Sequence, residues 1–164
     1  KKPCVILDHN LSDNKDIISI IGNLKSSFTL ETFICNVAEP DYDYLDLAKK
    51  EISKSDMDCL VAIGGGSVMD LSKGLAVMLK NKGPAINFKG FPKNIEPPIP
   101  VITVPTLAGT GSEIAYNAVF TDSKKRMRLG INTELNYPVL SVILGSSFSR
   151  SRSQLRERDQ PAHC

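Results

Sequence analysis

The chain has 164 residues, which suits one domain with a buried core and is short for a two-domain enzyme. Its formal net charge of +2 comes from residues 145–164, so residues 1–144 are neutral and we expect no nucleic-acid partner. No apolar run approaches the roughly 20 residues of a membrane span, and the N-terminus shows no signal-peptide pattern. We therefore expect no membrane partner and a cytoplasmic location.

Short apolar runs alternate with amphipathic segments along the chain. Strands are predicted at residues 5–7, 32–35, 59–63, 101–104, 115–120 and 139–144. Helices are predicted at residues 13–25, with Ser12 as the N-cap, at 41–54 and at 67–79. Strands that alternate with helices indicate an α/β fold, and we predict a Rossmann-like doubly wound parallel sheet over residues 1–144.

Residues 145–164 differ in composition from the rest of the chain. They contain five serines and four arginines without a periodic apolar face. Such a segment buries too little apolar surface to offset the entropy of ordering, so we expect it to be disordered. We favour a tail that does not belong to the domain, through truncation or a change of frame, over an arm that binds RNA or a phosphorylated partner.

A glycine-rich turn follows the predicted strand at 59–63. Gly64, Gly65 and Gly66 let the backbone approach a ligand closely, and the free amides of the next helix favour an anion such as a pyrophosphate. A tight turn would need only one glycine, so we favour phosphate binding. Ser67 and Asp70 match S-x-x-D, which predicts a capping box; for Asp70 we favour this role over direct contact with the ligand.

A second loop of small residues follows the predicted strand at 101–104. It contains the hydroxyls of Thr106, Thr110 and Ser112, while Gly109 and Gly111 allow a compact loop. Each hydroxyl, taken singly, could instead bond to its own backbone. Because parallel strands place their ligands at their carboxyl ends, we expect the two loops to share one cleft.

GGGSVMD at 64–70 and PTLAGTGSE at 105–113, with Asp8 after the first strand and Glu39-Pro40 after the second, resemble the iron-containing (group III) alcohol dehydrogenases. The resemblance implies a dehydroquinate synthase-like N-terminal domain that binds NAD, with NADP as the alternative. It also implies reversible hydride transfer between nicotinamide and a small alcohol, aldehyde or ketone. The related glycerol dehydrogenases and dehydroquinate synthases remain the alternative branch, and a homodimer remains open.

The resemblance also assigns residues to the cofactor. Gly65, Gly66 and Ser67 would hold the pyrophosphate, and Asp8 would face the adenosine ribose and favour NAD, with a plain turn at 8–10 as the alternative. The cofactor cleft would be lined by Thr106, Leu107, Thr110 and Ser112. Leu107 stands where the family usually has Thr, and Asp41 where it has Asn. Arg128 best matches a basic residue that follows the second loop.

The metal of the resembled family, iron or zinc, is bound by one Asp and three His in a helical domain. This chain has only His9 and His163, and its four cysteines form no CxxC pair, so we expect it to lack the helical metal domain and to bind no metal. We carry two hypotheses. The chain is the cofactor domain of a metal-dependent NAD(P) alcohol dehydrogenase and inactive alone, or it is a nucleotide-binding module without catalysis.

Overall fold

The computed structural model describes residues 2–54, 56–107, 109–123, 125 and 127–143. The predicted tail at 145–164 lies outside these residues. Seven strands and three α-helices are described. The strands are β1 (Pro3–Asp8), β2 (Glu31–Cys35), β3 (Cys59–Gly64), β4 (Val101–Pro105), β5 (Asn117–Asp122), β6 (Met127–Asn132) and β7 (Leu140–Ser141), and the helices are α1 (Lys15–Ser27), α2 (Tyr42–Ile52) and α3 (Gly66–Lys80).

The central sheet has the strand order β2-β1-β3-β4-β7, and every pairing within it is parallel. Pro3–Leu7 of β1 are buried because helices cover both faces of the sheet. One face packs against α2 and α3 and forms the larger core, whereas the other packs against α1 through Val5, Leu7 and Ile17. The α/β, doubly wound parallel architecture predicted from the sequence is confirmed.

Two predicted helix starts differ from the structure. Asn14, not Ser12, caps α1, because its side-chain oxygen accepts hydrogen bonds from the amides of Asp16 and Ile17. Asp41 lies outside α2 as its N-cap and accepts from the amide of Tyr44 at 2.7 Å. Asp41, which was predicted to be the first residue of the second helix, is thus its N-cap. Its carboxylate accepts a hydrogen bond from one of the amides in the first turn that have no partner within the helix.

The predicted strand at 115–120 does not join the central sheet. It corresponds to β5, which pairs antiparallel with β6 in a separate two-stranded sheet, and β6 was not predicted. The predicted strand at 139–144 shortens to β7, whose Leu140 and Ser141 pair with β4. Local pattern indicates that a strand forms, but the partner is chosen by tertiary packing.

The β5–β6 hairpin is held against α2 by polar contacts. The Tyr42 hydroxyl donates to the Leu129 carbonyl at 2.7 Å, and the Ser123 hydroxyl donates to the Asp41 carboxylate at 2.6 Å. The Lys89 ammonium binds the Asp122 carboxylate at 2.6 Å. These bonds fix the hairpin beside the carboxyl end of the central sheet. Within the described ranges, no helix combines the length and apolar character needed to cross a bilayer.

Candidate functional site

The carboxyl ends of β1, β3 and β4 meet at one edge of the sheet, and the candidate site lies there. The strand order reverses between β1 and β3: the chain adds β2 on one side of β1, and then adds β3 and β4 on the other side. Open α/β sheets bind their ligands in the crevice at such a switch point. Asp8 ends β1 and Gly64 ends β3, so two predicted site residues border this crevice.

Gly64 is required by the packing of the turn itself. A Cβ atom there would come within 2.9 Å of Val68 Cγ2 and 3.0 Å of Asp8 Cβ. Only glycine therefore lets β3 pass into α3 at this distance from β1. Protein atoms fill the space that a side chain at Gly64 would occupy. Gly64 therefore contributes to the site by allowing the tight turn between β3 and α3.

Gly65 and Gly66 bring the two predicted loops into contact. A Cβ atom at Gly66 would lie 3.0 Å from both Thr110 Cγ2 and Thr110 Oγ1, and one at Gly65 would lie 3.4 Å from Leu107 Cδ1. The amide of Thr106 donates to the Gly64 carbonyl at 3.0 Å. The loop after β4 therefore lies directly on the start of α3.

The backbone of the second loop needs glycine at two positions. Gly109 has a φ of 120° and Gly111 a φ of 68°, both in the region that residues with a side chain rarely adopt. Between them Thr110 is exposed, and its Oγ1 accepts from the Ser112 amide at 3.3 Å. The two glycines let the chain bend tightly enough for Thr110 to reach Gly66.

The start of α3 has no side-chain cap. Its N-cap is Gly65, and no side chain accepts from the first amides of the helix. The predicted capping box of Ser67 and Asp70 is therefore wrong, because the Asp70 carboxylate bonds to the second loop and to β5. Uncapped amides at the positive end of a 15-residue helix are suited to an anion.

Asp70 and Ser112 belong to a buried polar network whose central member, Lys73, was missed from the sequence. The side chain of Lys73 is fully buried, and its ammonium lies 3.0 Å from Asp70 Oδ1 and 2.8 Å from Ser112 Oγ. The ammonium also donates to the carbonyls of Ser112, Ala115 and Asn117 at 3.1, 3.2 and 2.6 Å. All of these acceptors except Asp70 lie between β4 and the first residue of β5.

Asp70 completes the network with both of its oxygens. Oδ1 accepts from the Ser112 hydroxyl as well as from Lys73, and Oδ2 accepts from the Val119 amide of β5 at 3.1 Å. Burial lowers the pKa of the Lys73 ammonium, and the Asp70 carboxylate opposes that shift. A lone lysine within the apolar run LSKGLAVML was the available signal, since buried lysines are rare unless paired.

The predicted ribose residue, Asp8, forms the turn that was weighed as its alternative role. Its Oδ1 accepts from the amide and from the side-chain nitrogen of Asn10, both at 3.0 Å. His9 Nδ1 lies 3.6 Å from the same oxygen. Asp8 remains partly exposed at the switch point, so the turn holds the carboxylate at the edge of the crevice.

Arg128 lies on β6 and forms an exposed ion pair with Glu39. The guanidinium lowers the pKa of the Glu39 carboxyl through a hydrogen bond and its charge. Both side chains border a small cavity of about 110 Å³ that Ser67 and Asp70 also line. Arg128 therefore lies beside the start of α3.

No group of three or more His, Cys, Asp or Glu side chains in the described part of the chain is arranged to hold a metal ion. The site of these residues is thus a crevice bounded by a helix start, two glycine-rich loops and a carboxylate. Crevices of this kind, at the switch point of a doubly wound sheet, are where open α/β domains place their ligands.

Comparison with known proteins identifies the family. Residues 1–144 match the model of the iron-containing alcohol dehydrogenases, so the chain belongs to that family. Alcohol dehydrogenase 4 of Schizosaccharomyces pombe is 36% identical over 98 residues, which are 60% of this chain and 22% of that protein. The NAD-dependent methanol dehydrogenase of Bacillus methanolicus is 29% identical over 149 residues, which are 87% of this chain and 38% of that protein.

Solved structures show the same fold. An alcohol dehydrogenase from Oenococcus oeni superimposes with a TM-score of 0.79 at 27% identity, over 87% of this chain and 38% of that one. Sulfoacetaldehyde reductase from Bifidobacterium kashiwanohense in complex with NAD⁺ gives 0.77 at 26% identity, with the same two coverages. The chain thus spans about two fifths of the length of these two structures.

Proposed function

We propose that residues 1–144 are the NAD-binding domain of a metal-dependent alcohol dehydrogenase that transfers hydride reversibly between nicotinamide and a small alcohol or carbonyl compound. One observation carries the proposal: the uncapped start of α3 lies in contact with the loop after β4, through Gly66 and Thr110. A dinucleotide needs both an anion site and a neighbouring wall of polar groups. NAD-dependent relatives within the family support the choice of cofactor.

The residues present fit a dinucleotide. In this proposal the amides of Gly65, Gly66 and Ser67 hold the pyrophosphate, because they are backbone donors at the positive end of a helix. Thr110 is exposed above them and contributes its hydroxyl. Thr106 and Leu107 extend the same wall; Leu107 offers an exposed apolar surface where the family usually has a hydroxyl.

Asp8 and Arg128 take the two outer positions of the cleft. Asp8 accepts from a ribose hydroxyl and repels a 2′-phosphate, which favours NAD over NADP. Arg128 supplies a positive charge at the side of the helix start that Glu39 and Ser67 border. Ser112, which the resemblance places in the cofactor cleft, and Asp70, for which direct contact was the less favoured alternative, have their polar atoms occupied by Lys73, Val119 and one another.

The family to which the chain belongs is iron-containing. When bound, such a metal polarises the oxygen of the alcohol or carbonyl substrate. The described residues contain no group of ligands that fits it. These residues bind and orient the nicotinamide cofactor.

Titration of NADH and NADPH into the purified 164-residue chain tests the proposal. We expect NADH fluorescence to rise on binding, with a dissociation constant below about 1 mM, and NADPH to bind at least about tenfold more weakly because of Asp8. Asp8→Asn should narrow that preference. Glu31→Gln makes the same loss of charge at the amino end of β2, away from the crevice, and should leave the preference unchanged. Absence of any fluorescence change at millimolar NADH would contradict the proposal.

A further inference from the structure

We propose that Asp70, Lys73 and Ser112 are positioning residues, which fix the loop after β4 against the start of α3 and do not contact the cofactor. The inference rests on the proposed function, since the loop in question forms one wall of the proposed NAD site. It assigns a role to Lys73, which neither the sequence motifs nor the family resemblance singled out. It also changes the role predicted for Asp70 and Ser112.

The loop depends on Lys73 for its buried polar groups. Among the described residues between β4 and β5, the Thr106 amide bonds to the Gly64 carbonyl and the Ile114 amide to the Gly111 carbonyl. The carbonyls of Ser112, Ala115 and Asn117 instead converge on one buried ammonium. The Ser112 bond is buried and the other two are partly buried. Because carbonyls withdrawn from water need a partner, this single side chain holds the end of the loop and the start of β5 against α3.

The network and the cofactor contacts lie on the same two elements. On α3, Gly66 and Lys73 are seven residues apart, which is two turns or about 10 Å along the axis. On the loop, Thr110 and Ser112 are two residues apart: Thr110 packs on Gly66 while Ser112 is bound to Lys73 and Asp70. Holding Ser112 therefore sets where Thr110 lies over the amides of the helix start.

Ser112 is poorly placed for a direct role. It is only 7% exposed, and its hydroxyl donates to Asp70 while accepting from Lys73. A cofactor would have to displace a charged partner from a buried position to reach it. Asp70 is similarly committed, with one oxygen on Lys73 and Ser112 and the other on the Val119 amide.

A matched pair of variants of the full chain tests the proposal. Ser112→Ala removes the hydroxyl of the network, whereas Ser72→Ala removes an equally buried hydroxyl on α3 that bonds only within the helix, to the Val68 carbonyl at 2.8 Å. We expect Ser112→Ala to weaken NADH binding about tenfold and to raise amide hydrogen exchange at 109–117, because a bond to charged groups is lost. Ser72→Ala should change neither measurement.

Lys73→Met and the double variant Asp70→Asn with Lys73→Met separate positioning from folding. The double variant leaves no unpaired buried charge, so its thermal midpoint should recover relative to Lys73→Met, while NADH binding and protection of 109–117 should stay impaired. If NADH binding and the protection of 109–117 recovered in the double variant together with the thermal midpoint, the proposal would be overturned. Equal effects of Ser112→Ala and Ser72→Ala on amide hydrogen exchange would also overturn it. Exchange is measured without cofactor, so failure of NADH to bind the unmodified chain would count against the proposed function alone.

Discussion

Single atoms set the geometry of the proposed cofactor site. At Gly64 and Gly66, the hydrogen in place of a side chain leaves the space that Asp8, Val68 and Thr110 occupy. Three consecutive glycines thus serve two purposes: the first allows the strand to turn into the helix, and the next two let a second loop lie against the helix start. The amides that remain accessible are those with which an anion would interact.

Gly66→Ala should weaken NADH binding about tenfold while leaving the fold intact, because the new Cβ atom displaces Thr110 by a few tenths of an ångström and crowds the helix amides. Fluorescence titration with NADH gives the affinity, and the thermal midpoint verifies folding. Gly22→Ala is the control, because a Cβ atom at Gly22 meets nothing within 4 Å. An unchanged affinity for Gly66→Ala would mean that the cofactor does not lie on these amides.

Sequence reasoning located the backbone features of this site better than its side-chain partners. Gly65, Gly66 and Thr110 follow from local motifs, because a glycine-rich turn is encoded within a few residues. The capping box failed because Asp70 has a stronger partner 42 residues away, in Ser112, than the local amide that S-x-x-D predicts. Lys73 was missed for the same reason: its acceptors come from a loop that only the fold brings to α3.

Among the elements, α3 is the one that joins the site to the rest of the domain. It packs against the sheet on one side and against α2 and β5 on the other. Ten of its fifteen residues are buried, and the two buried polar side chains among them, Ser72 and Lys73, are both hydrogen-bonded. At Gly74 it packs against Phe120 of β5.

Gly74→Ala should destabilise the chain by about 1–2 kcal/mol, because its Cβ atom would lie 2.6 Å from Phe120 Cζ and 3.0 Å from Leu45 Cδ2 in a packed core. Helix propensity alone predicts the opposite sign, a gain of about 1 kcal/mol. Gly22→Ala, at an exposed position of α1, should show that gain in stability. Urea unfolding of both variants gives the change in the free energy of unfolding for each. A more stable Gly74→Ala variant would refute the close packing of α3 on β5.

The β5–β6 hairpin marks the limit of prediction from pattern at this scale. The strand predicted at 115–120 corresponds to β5, whose residues largely alternate between exposed and buried, but a strand pattern carries no information about the partner strand. In β6, Met127, Arg128 and Leu129 are not fully buried and no clean alternation exists. The hairpin owes its position to Tyr42, Asp41 and Lys89, which come from segments far away in the chain.

Across the whole molecule, the two faces of the central sheet are covered unequally. The face toward α2 and α3 is closed by a large core, whereas α1 covers only part of the other. Beside α1 an apolar cavity of about 530 Å³ opens between Leu24, Phe28, Val61, Ile102 and Val139. The lining of this cavity is mostly apolar, although Asp58 also borders it.

This cavity should bind the apolar dye 8-anilinonaphthalene-1-sulfonate in the folded chain. Ile102→Thr should lower the dye fluorescence by about half, because Thr keeps the strand preference of the residue while adding a hydroxyl to the cavity wall. Ile34→Thr makes the same change at a 49% exposed position on the outer strand β2 and should leave the fluorescence unchanged. Near-ultraviolet circular dichroism of both variants should match that of the original chain, since dye binding that accompanied loosened packing would come from a partly unfolded state. Equal losses for the two variants would place the dye elsewhere than in the cavity that Ile102 lines.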